Sequence, residues 1–378
     1  MTGMRQIASA TGPRDPKDSA GRRLVSLDLL RGLTVLGMII VNSTAGVAER
    51  DSPVFPLLMH AEWAGFTIAD SIFPAFILMV GVSVAISSRG RSPDTGRILI
   101  RAGRLVLLGL FLSNMFWLYD SSSAHPRLPG VLQRIGIAYA AVALIYPRTG
   151  WRARAGIAAA LLLAYWPLCL LPSPDGTPTD IWVQGHNFAS WLDRATLGGF
   201  RFVGGPDGYD PEGLLSTLPT IGEALIGTLI GDYLRKGRPP AEAARAMALA
   251  AGAMILGGLA WGLVFPIAKN LWTSSFVLVS AGIGLALLAA LHWLWDSRQA
   301  RIVKGGLLGS FGRNAVAAYT LHEVASIILL SDALQWPFLQ LAPITGTRIA
   351  ALVPVMLFTL LIWWPIAAMD RRGWYLKI

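Results

Sequence analysis

The chain has 378 residues, of which 54% are hydrophobic and only 14% are charged, and its mean hydropathy is +0.53. Soluble domains carry about 25% charged residues, so this composition excludes an ordinary soluble protein and indicates an integral membrane protein. The net charge of +10 suggests nucleic-acid binding at first sight, but the positions of the charges in the predicted membrane loops exclude it.

The chain begins with a segment, residues 1–23, that holds five basic residues and no apolar core. This pattern predicts a basic cytoplasmic tail rather than a cleaved signal peptide. Residues 24–378 then form a single predicted membrane domain, because apolar stretches follow one another from there to the end.

About ten of these stretches are long enough to cross roughly 30 Å of hydrocarbon, with an expected range of about 9 to 12. Their predicted bounds are 24–42, 66–88, 98–118, 130–147, 155–172, 214–234, 244–265, 273–295, 310–330 and 348–369. The predicted fold class is therefore all-α, a polytopic helical bundle in a membrane.

The basic residues predict the orientation of this bundle, because cytoplasmic loops carry an excess of Lys and Arg. With the N-terminus inside, most of the 32 basic residues fall in the tail, the inner loops and the C-terminal end. Both termini are thus predicted to be cytoplasmic. The longest loop, at about 173–213, falls on the outer side, and its large apolar residues predict a folded cap.

A titratable histidine, His60, lies in the loop between the first two predicted helices, on the outer side. An imidazole at the edge of a membrane can act as a general base, so His60 is the first candidate for catalysis. Asp70 begins the second helix, where a carboxylate suits the helix N-terminus. Helix capping is therefore at least as good an explanation of Asp70 as a functional role.

Further polar or aromatic residues converge on the outer half of the bundle from separate segments. They are Trp63, Arg127, Gln133, Arg134, Asp210, Glu212, Asn270, His322 and Glu323. Each has a structural explanation by itself, but together they predict a polar extracytoplasmic cavity. His322 and Glu323 diverge by about 100° on their helix, so both cannot face one ligand without a local break.

A zinc site is the main alternative use of these side chains. His60, His322, Asp210 and Glu212 could in principle bind the ion. However, no two histidines have the i, i+4 spacing of a zinc helix, and the single cysteine, Cys169, lies in an apolar run. No metal is therefore predicted.

Several motifs follow one another over nearly the whole chain after residue 24. They are Leu-Asp-Leu-Leu-Arg-Gly (27–32), Val-Asn (41–42), His-Ala-Glu-Trp-Ala-Gly-Phe-Thr-Ile-Ala-Asp (60–70), Phe-Pro (73–74), Arg-Leu-Pro-Gly-Val-Leu-Gln-Arg (127–134), Tyr-Asp-Pro-Glu-Gly (209–213), Lys-Asn-Leu-Trp (269–272), Gly-Arg-Asn-Ala (312–315), His-Glu-Val (322–324) and Leu-Lys-Ile (376–378). In these motifs the chain resembles the transmembrane acyltransferases related to heparan-α-glucosaminide N-acetyltransferase, a family with bacterial members.

The resemblance implies that an acetyl group passes from cytoplasmic acetyl-CoA to the amino group of a glucosamine-type sugar on the other side of the membrane. It implies that His60 is the catalytic histidine and Asn42 its partner. It also implies a bacterial inner-membrane location and a homodimer. The positions that it places near the bound ligands are Gln133, Arg134, Asp210 and Glu212.

Acyl transfer to an amine needs a base for the attacking nitrogen and a donor for the developing oxyanion. We expect neutral His60 to be the base, and Asn42 or a nearby backbone amide to steady the oxyanion. A covalent acetyl-His60 intermediate is the alternative course.

The binding site for acetyl-CoA is expected at the cytoplasmic end. The candidates for its phosphates or adenosine are Asp28, Arg31, Arg313 and Asn314. Asp28 and Arg31 lie three residues apart on one helix face, so a structural ion pair is the alternative for them.

The acceptor is less defined by the resemblance than the chemistry. The animal enzyme has a large lumenal domain before its first helix and longer loops, so we expect an envelope glycan or amino sugar rather than heparan. The alternatives are an O-acyltransferase of an envelope glycan and a transporter of a polar envelope precursor. A transporter typically shows inverted repeats and paired broken helices, and neither is evident in this sequence.

Overall fold

The computed structural model describes residues 24–48, 55–88, 94–119, 125–298, 302–329 and 332–376. Within these ranges the regular elements are helices and there is no strand, which confirms the all-α fold class. The predicted tail at 1–23 lies outside the described residues. The α-helices in chain order are α1 (Val25–Ala48), α2 (Ile72–Ser87), α3 (Thr95–Ser113), α4 (Met115–Tyr119), α5 (Val131–Ile145), α6 (Trp151–Cys169), α7 (Phe188–Leu197), α8 (Thr217–Arg235), α9 (Pro240–Trp261), α10 (Ser274–Leu291), α11 (Leu307–Arg313), α12 (Ala315–Leu329), α13 (Asp332–Thr345) and α14 (Thr347–Arg371).

Five helical segments of the described chain are long and apolar enough to cross a membrane, which indicates an integral membrane protein. They are Val25–Val47, Ile68–Ser87, Pro240–Trp261, Ser274–Asp296 and Thr347–Arg371. Helices also lie over the other predicted stretches, but they are shorter or carry more charge; the stretch predicted at 310–330, for example, is broken at Asn314 into α11 and α12. The number of about ten spans and the location of the termini therefore stay predictions.

Glycines allow the closest helix contacts in the bundle. A Cβ on Gly81 of α2 would lie 1.8 Å from the carbonyl oxygen of Ala224 on α8, and one on Gly227 would lie 2.2 Å from that of Leu78. A second close contact at a glycine joins α1 to α11, where a Cβ on Gly312 would lie 1.9 Å from the carbonyl oxygen of Asp28. Small residues let membrane helices approach to backbone contact, and these two crossings fix the inner layer of the fold.

The ends of the bundle away from His60 are joined by charged side chains. Asp296, in the π-helical turn after α10, accepts hydrogen bonds from the backbone N–H groups of Val25 (3.0 Å) and Ser26 (3.3 Å), and thereby caps α1. Arg154 of α6 pairs with Asp232 of α8. Asp232, for which the sequence suggests no role, therefore fastens two helices together.

Replacing Gly81 by Val should disrupt the contact between α2 and α8, because the added side chain meets backbone atoms that cannot move independently. We expect the free energy of unfolding to fall by about 3 kcal/mol. Gly252→Val on α9 is the matched control, since a Cβ there meets nothing within 4 Å. Thermal unfolding in detergent, followed by tryptophan fluorescence, measures both variants. An equal loss of stability in the two would contradict the role given to Gly81.

Candidate active site

Three loops meet over one end of the bundle. The loop before α2 is fixed to the turn before α10 by two hydrogen bonds, from the N–H of Gly65 to the carbonyl of Ile267 (2.8 Å) and from Asn270 Nδ2 to the carbonyl of Glu62 (2.7 Å). Trp63 fixes it to the long loop after α6, through a hydrogen bond from Nε1 to the carbonyl of Ile181 (3.1 Å). The loops thus form one covered end, which we call the capped end.

Two residues predicted to bind substrate are engaged in building this capped end. Trp63 is buried, and its ring packs edge-on against Tyr209 with the ring centroids 5.1 Å apart. The side-chain amide of Asn270 is engaged with the first loop. Both side chains therefore support the site, and their predicted contacts with substrate stay predictions.

The central feature of the capped end is a histidine held by a buried carboxylate. His60 Nδ1 lies 2.8 Å from Oδ1 of Asp70, which is fully buried, whereas 40% of the His60 side chain is exposed. Asp70 Oδ2 accepts from the N–H of Ala61 (3.3 Å), the N–H of Thr67 (2.9 Å) and Thr67 Oγ1 (3.1 Å). Within the described residues Nε2 of His60 has no hydrogen-bond partner, so the ring is oriented with one nitrogen free.

This geometry tests the explanation of Asp70 as a helix cap. The cap of α2 is Ser71, and it makes no side-chain capping bond. The carboxylate of Asp70 instead turns back to the loop before α2 and to His60. Helix capping is therefore the wrong explanation, because all the donors that Asp70 bonds precede it in the chain.

Asn42, the predicted partner of His60, lies in the last two turns of α1 with its side chain exposed. The hydroxyl of the following residue, Ser43, is buried without a hydrogen-bond partner in the described part of the chain. Asn42 is thus accessible to a ligand at the end of α1, and its role as an oxyanion donor stays a prediction.

Beside the histidine pair, Arg127 binds two carboxylates of the long loop. Its Nε and Nη2 atoms lie 3.0 Å and 2.6 Å from the two oxygens of Asp210, and Nη2 also bonds Glu212. The guanidinium lies over the ring of Phe202, 4.6 Å from its centroid. We call this group the arginine clamp. It joins the entry to α5 to the entry to α8, as the convergence of polar residues predicted.

The charges of the clamp keep it ionised. Burial opposes the charged form of Arg127, but Glu212 and Asp210 raise the pKa of the guanidinium above its ordinary value. Burial by itself would raise the pKa of Glu212, but the charges of Arg127, Arg134 and Lys269 lower it. The clamp is therefore ionised at neutral pH.

Arg134 lies deeper, in the first turn of α5. It is buried, donates to the carbonyl of Gly213 (3.1 Å) and to the hydroxyl of Ser216, and lies over the ring of Trp272, 5.0 Å from the centroid. Trp272 in turn donates from Nε1 to Glu223 Oε2 (3.1 Å). The buried acid on α8, Glu223, for which the sequence gives no role, therefore positions the indole under Arg134.

Gln133, next to Arg134, supports the loop that carries Arg127. Its Nε2 atom donates to the carbonyl of Leu128 (3.1 Å), and its Oε1 atom is buried without a partner among the described residues. Gln133 thus lies beside the clamp with one acceptor unused, and its predicted place near a bound ligand stays a prediction.

His322 and Glu323 on α12 point to different neighbours, as their adjacency predicts. The His322 ring packs edge-on against Phe358 of α14, with the centroids 5.6 Å apart. Glu323 is hydrogen-bonded to Tyr319, whose hydroxyl lies within electrostatic range of Glu212 and Arg127. Glu323 is therefore on the side of the clamp, whereas His322 belongs to the contact between α12 and α14.

Two further charged residues of the capped end are absent from the predicted set. Lys269 is partly buried, and burial lowers the pKa of its amine against the opposing charges of Asp70 and Glu212. Asp193 on α7 accepts hydrogen bonds from the N–H groups of Asp210 (3.2 Å) and Leu214 (2.9 Å) and so fixes the turn that carries the clamp. Lys269 has a sequence signal, the Lys-Asn-Leu-Trp motif, whereas Asp193 is one acid among several in the long loop.

Comparison with known protein families identifies the family of this chain. A family model described as an acyltransferase domain matches residues 24–368, which is most of the chain. The chain belongs to this acyltransferase family. The match confirms the resemblance to the transmembrane acyltransferases that the motifs indicate.

Two curated proteins are similar in sequence to this chain. The chain is 28% identical to the heparan-alpha-glucosaminide N-acetyltransferase of Homo sapiens over 367 residues, which cover 80% of this chain and 53% of the human protein. It is also 28% identical to the protein of the same name from Mus musculus over 379 residues, which cover 84% of this chain and 56% of the mouse protein. The chain thus spans about half the length of the curated relatives that it matches.

The four residues predicted to bind acetyl-CoA lie on α1 and at the end of α11, two helices that pack together; Asn314 is the residue between α11 and α12. Arg31 bonds the hydroxyl of Ser83, and its Nη1 atom lies 3.6 Å from Asp28 Oδ1. The predicted ion pair between Asp28 and Arg31 is therefore present. The crossing at Gly312 brings the start of α1 beside the end of α11.

The other two residues of this set differ in their availability. Arg313 is paired with Asp370 through both oxygens, at 2.6 Å and 2.5 Å, so its charge is already balanced. Asn314 is buried, and in the described part of the chain neither atom of its amide has a hydrogen-bond partner. An unpaired buried amide suits a polar group of a ligand, so Asn314 fits the predicted coenzyme site better than Arg313 does.

The described residues contain no group of three or more His, Cys, Asp or Glu side chains that could hold a metal ion. The four side chains considered for zinc are instead distributed. Asp210 and Glu212 bind Arg127, His60 binds Asp70, and His322 packs on α14.

The stability of the capped end should depend on pH through Asp193. Burial raises the pKa of this carboxyl to about 6 in the folded protein. The folded state therefore binds the proton more tightly than the unfolded state does, and the free energy of unfolding falls as the pH rises from about 4 to about 6, by roughly 3 kcal/mol. Asp193→Asn removes this dependence. We expect the Tm of the wild type minus that of Asp193→Asn to be larger at about pH 4.5 than at about pH 7, and a constant difference would contradict it.

Proposed function

We propose that this acyltransferase moves an acetyl group from cytoplasmic acetyl-CoA to the amino group of a glucosamine-type sugar on the extracytoplasmic side. The observation that carries the proposal is the pairing of His60 with Asp70, which leaves one imidazole nitrogen free at an accessible position. The name of the curated relatives, heparan-alpha-glucosaminide N-acetyltransferase, supports an amino sugar as the acceptor.

Asp70 determines what His60 can do. An ionised carboxylate can only accept a hydrogen bond, so the 2.8 Å contact places the proton of neutral His60 on Nδ1 and the lone pair on Nε2. Nε2 can therefore take a proton from the amine that attacks the thioester, and Asp70 stabilises the imidazolium that forms. The new bond joins nitrogen to the acetyl carbon, the carbon–sulfur bond breaks, and the proton passes from Nε2 to the leaving thiolate.

The same geometry serves a covalent course. Nε2 can attack the thioester directly, so that a nitrogen–carbon bond forms, the carbon–sulfur bond breaks and the coenzyme leaves as a thiolate, while the Nδ1 proton stays against Asp70. The amine then takes the acetyl group, the Nε2–carbon bond breaks, and the proton that the amine loses neutralises the thiolate. Both courses need the free nitrogen and the carboxylate behind the ring. Transient acetylation of His60 in the absence of acceptor would distinguish them.

The acceptor site is proposed beside the arginine clamp. Asp210 and Glu212 are ionised acceptors fixed in place by Arg127, and such carboxylates bind the hydroxyl groups of a sugar. The clamp lies near the His60–Asp70 pair, because Lys269 is within electrostatic range of both Asp70 and Glu212. A sugar held by the clamp would therefore present its amine on the side of His60.

The donor site is proposed at the opposite end of α1. Asn314 and Arg31 would hold acetyl-CoA there. The side-chain amide of Asn314, which has no partner among the described residues, would bind a polar group of the coenzyme. The coenzyme supplies the activated acetyl group as a thioester. We place the protein in the bacterial inner membrane with the capped end outside; the homodimer implied by the resemblance stays a prediction.

Substitution of His60 by Ala should lower acetyl transfer to glucosamine by about 10³-fold, because the base is lost. Asp70→Asn should lower it by about 10²-fold or more, since an amide cannot fix the same tautomer. The measurement is transfer from radiolabelled acetyl-CoA by purified protein in detergent. Binding of acetyl-CoA should persist in both variants, because the proposed donor residues are at the other end of α1.

His186→Ala is the matched control for these variants. His186 is also in an outer loop and also lies near a carboxylate, with Nε2 3.2 Å from Asp207 Oδ1, but it is outside the arginine clamp. Its removal should leave transfer within about twofold of the wild type. Full activity of His60→Ala would refute the proposed base, whereas acetyl-CoA binding without transfer would redirect the search to another acceptor.

A further inference from the structure

The connection between α9 and α10, residues 262–273, is held by several internal hydrogen bonds. The hydroxyl of Thr273 donates to the carbonyl of Pro266 (2.7 Å) and accepts from the N–H of Ala268 (3.1 Å). The N–H of Trp272 donates to the carbonyl of Lys269 (3.0 Å), and Trp272 has a φ of 50°, the only positive value among the described non-glycine residues. Such strain persists where the surrounding contacts over-determine the backbone.

Lys269 lies between the two points at which this turn is fastened to the loop of His60. Ile267 accepts a hydrogen bond from that loop, and Asn270 donates one to it. The backbone of Lys269 is thus held alongside the segment that carries His60. The backbone from which its side chain extends is therefore fixed by the fold.

The amine of Lys269 differs from the two arginines at the capped end. Arg127 is saturated by Asp210 and Glu212, and Arg134 is bonded to Gly213 and Ser216. The amine of Lys269 has no hydrogen bond or ion pair with any described residue, yet its charge acts on both Asp70 and Glu212. The charged groups that act on Lys269 are Asp70 and Glu212. Asp70 in turn faces His60, and Glu212 faces Arg127 and Arg134.

We propose that Lys269 is a positioning residue of the transfer reaction, which supplies the shared countercharge of Asp70 and Glu212. Arg127 forms ion pairs with Asp210 and Glu212, whereas among the described residues no arginine pairs with the buried carboxylate of Asp70. Lys269 supplies positive charge to Asp70 and Glu212 without bonding to either. The burial that lowers the pKa of its amine is opposed by these same carboxylates, in agreement with this arrangement.

The role of Lys269 in catalysis would be indirect. Asp70 orients His60 only while its carboxylate is ionised, because a protonated carboxyl could donate to the ring and favour the other tautomer. A nearby positive charge favours the ionised carboxylate. Lys269 thus extends to lower pH the range in which His60 is correctly oriented. This inference rests on the proposed function, in which His60 is the base or acyl carrier.

The test compares Lys269→Met with Lys269→Arg, and uses Lys236→Met, at an exposed lysine after α8, as the control. The rate of acetyl transfer is measured against pH. We expect the acidic limb of the profile to move to higher pH by about one unit in Lys269→Met, because a charge near a carboxylate shifts its titration by about that much. Lys269→Arg should restore the wild-type limb, and Lys236→Met should not move it. A limb unchanged in Lys269→Met would overturn the proposal.

A second measurement needs no activity, so it separates this inference from the proposed function. The Tm of the wild type minus that of Lys269→Met should be larger at about pH 6 than at about pH 3, by about 3 °C, since the countercharge matters only while the carboxylates are ionised and the pKa of Glu212 lies below its ordinary value. If the wild type transfers no acetyl group to any amino sugar, the proposed function fails, and a pH-dependent difference still supports the countercharge. A difference independent of pH overturns it.

Discussion

The burial of the Asp70 carboxylate is the constraint on which the candidate site depends. An ionised carboxylate removed from water needs donors for its oxygens, and at the start of α2 the helix supplies none. The loop that precedes α2 therefore folds back and provides the N–H groups of Ala61 and Thr67, the hydroxyl of Thr67 and the ring of His60. The orientation of His60 is one part of satisfying that buried charge.

This local closure explains how an exposed histidine can be fixed. The His60 ring is 40% exposed, and an exposed side chain of this size normally samples several rotamers. Here the bond to Asp70 restrains the ring from within the protein while its outer nitrogen faces the site. The His60 ring is thus accessible and ordered, and the entropy of fixing it is offset by the bonds of the loop around it.

The two arginines at the capped end, Arg127 and Arg134, connect the loops that cover it. Phe202 and Trp272 cover the faces of Arg127 and Arg134, so each guanidinium can bond only through its edge. Those edges are directed at the turn of Asp210 to Ser216, which Asp193 fixes from below. Aromatic faces and carboxylates together define where the arginines lie.

The sequence predicts the class of this fold and the polar residues of its site, but not the pairs that they form. Apolar length identifies the helices, while the first one continues to Ala48, about six residues beyond the predicted end, because Ser43 and Thr44 are tolerated inside a buried helix. The ten-residue separation of His60 and Asp70 gives no periodic signal, since their contact depends on an irregular loop. Lys269 is missed for a similar reason: its neighbours, Asp70 and Glu212, are far away in the chain.

The two ends of the proposed reaction are joined by a single helix. Asp28 and Arg31 lie in the first two turns of α1, at its contact with α11, and Asn42 lies in its last two turns, towards the loop of His60. Its start is fixed by Asp296, and its contact with α11 is fixed by glycine at Gly312, so it cannot slide along its neighbours without clashing with the backbone. A coenzyme bound at one end of a helix fixed in this way would meet the histidine at a constant distance. For a reaction that must join a donor and an acceptor from opposite sides of a membrane, that rigidity replaces the movement by which a transporter would carry its substrate.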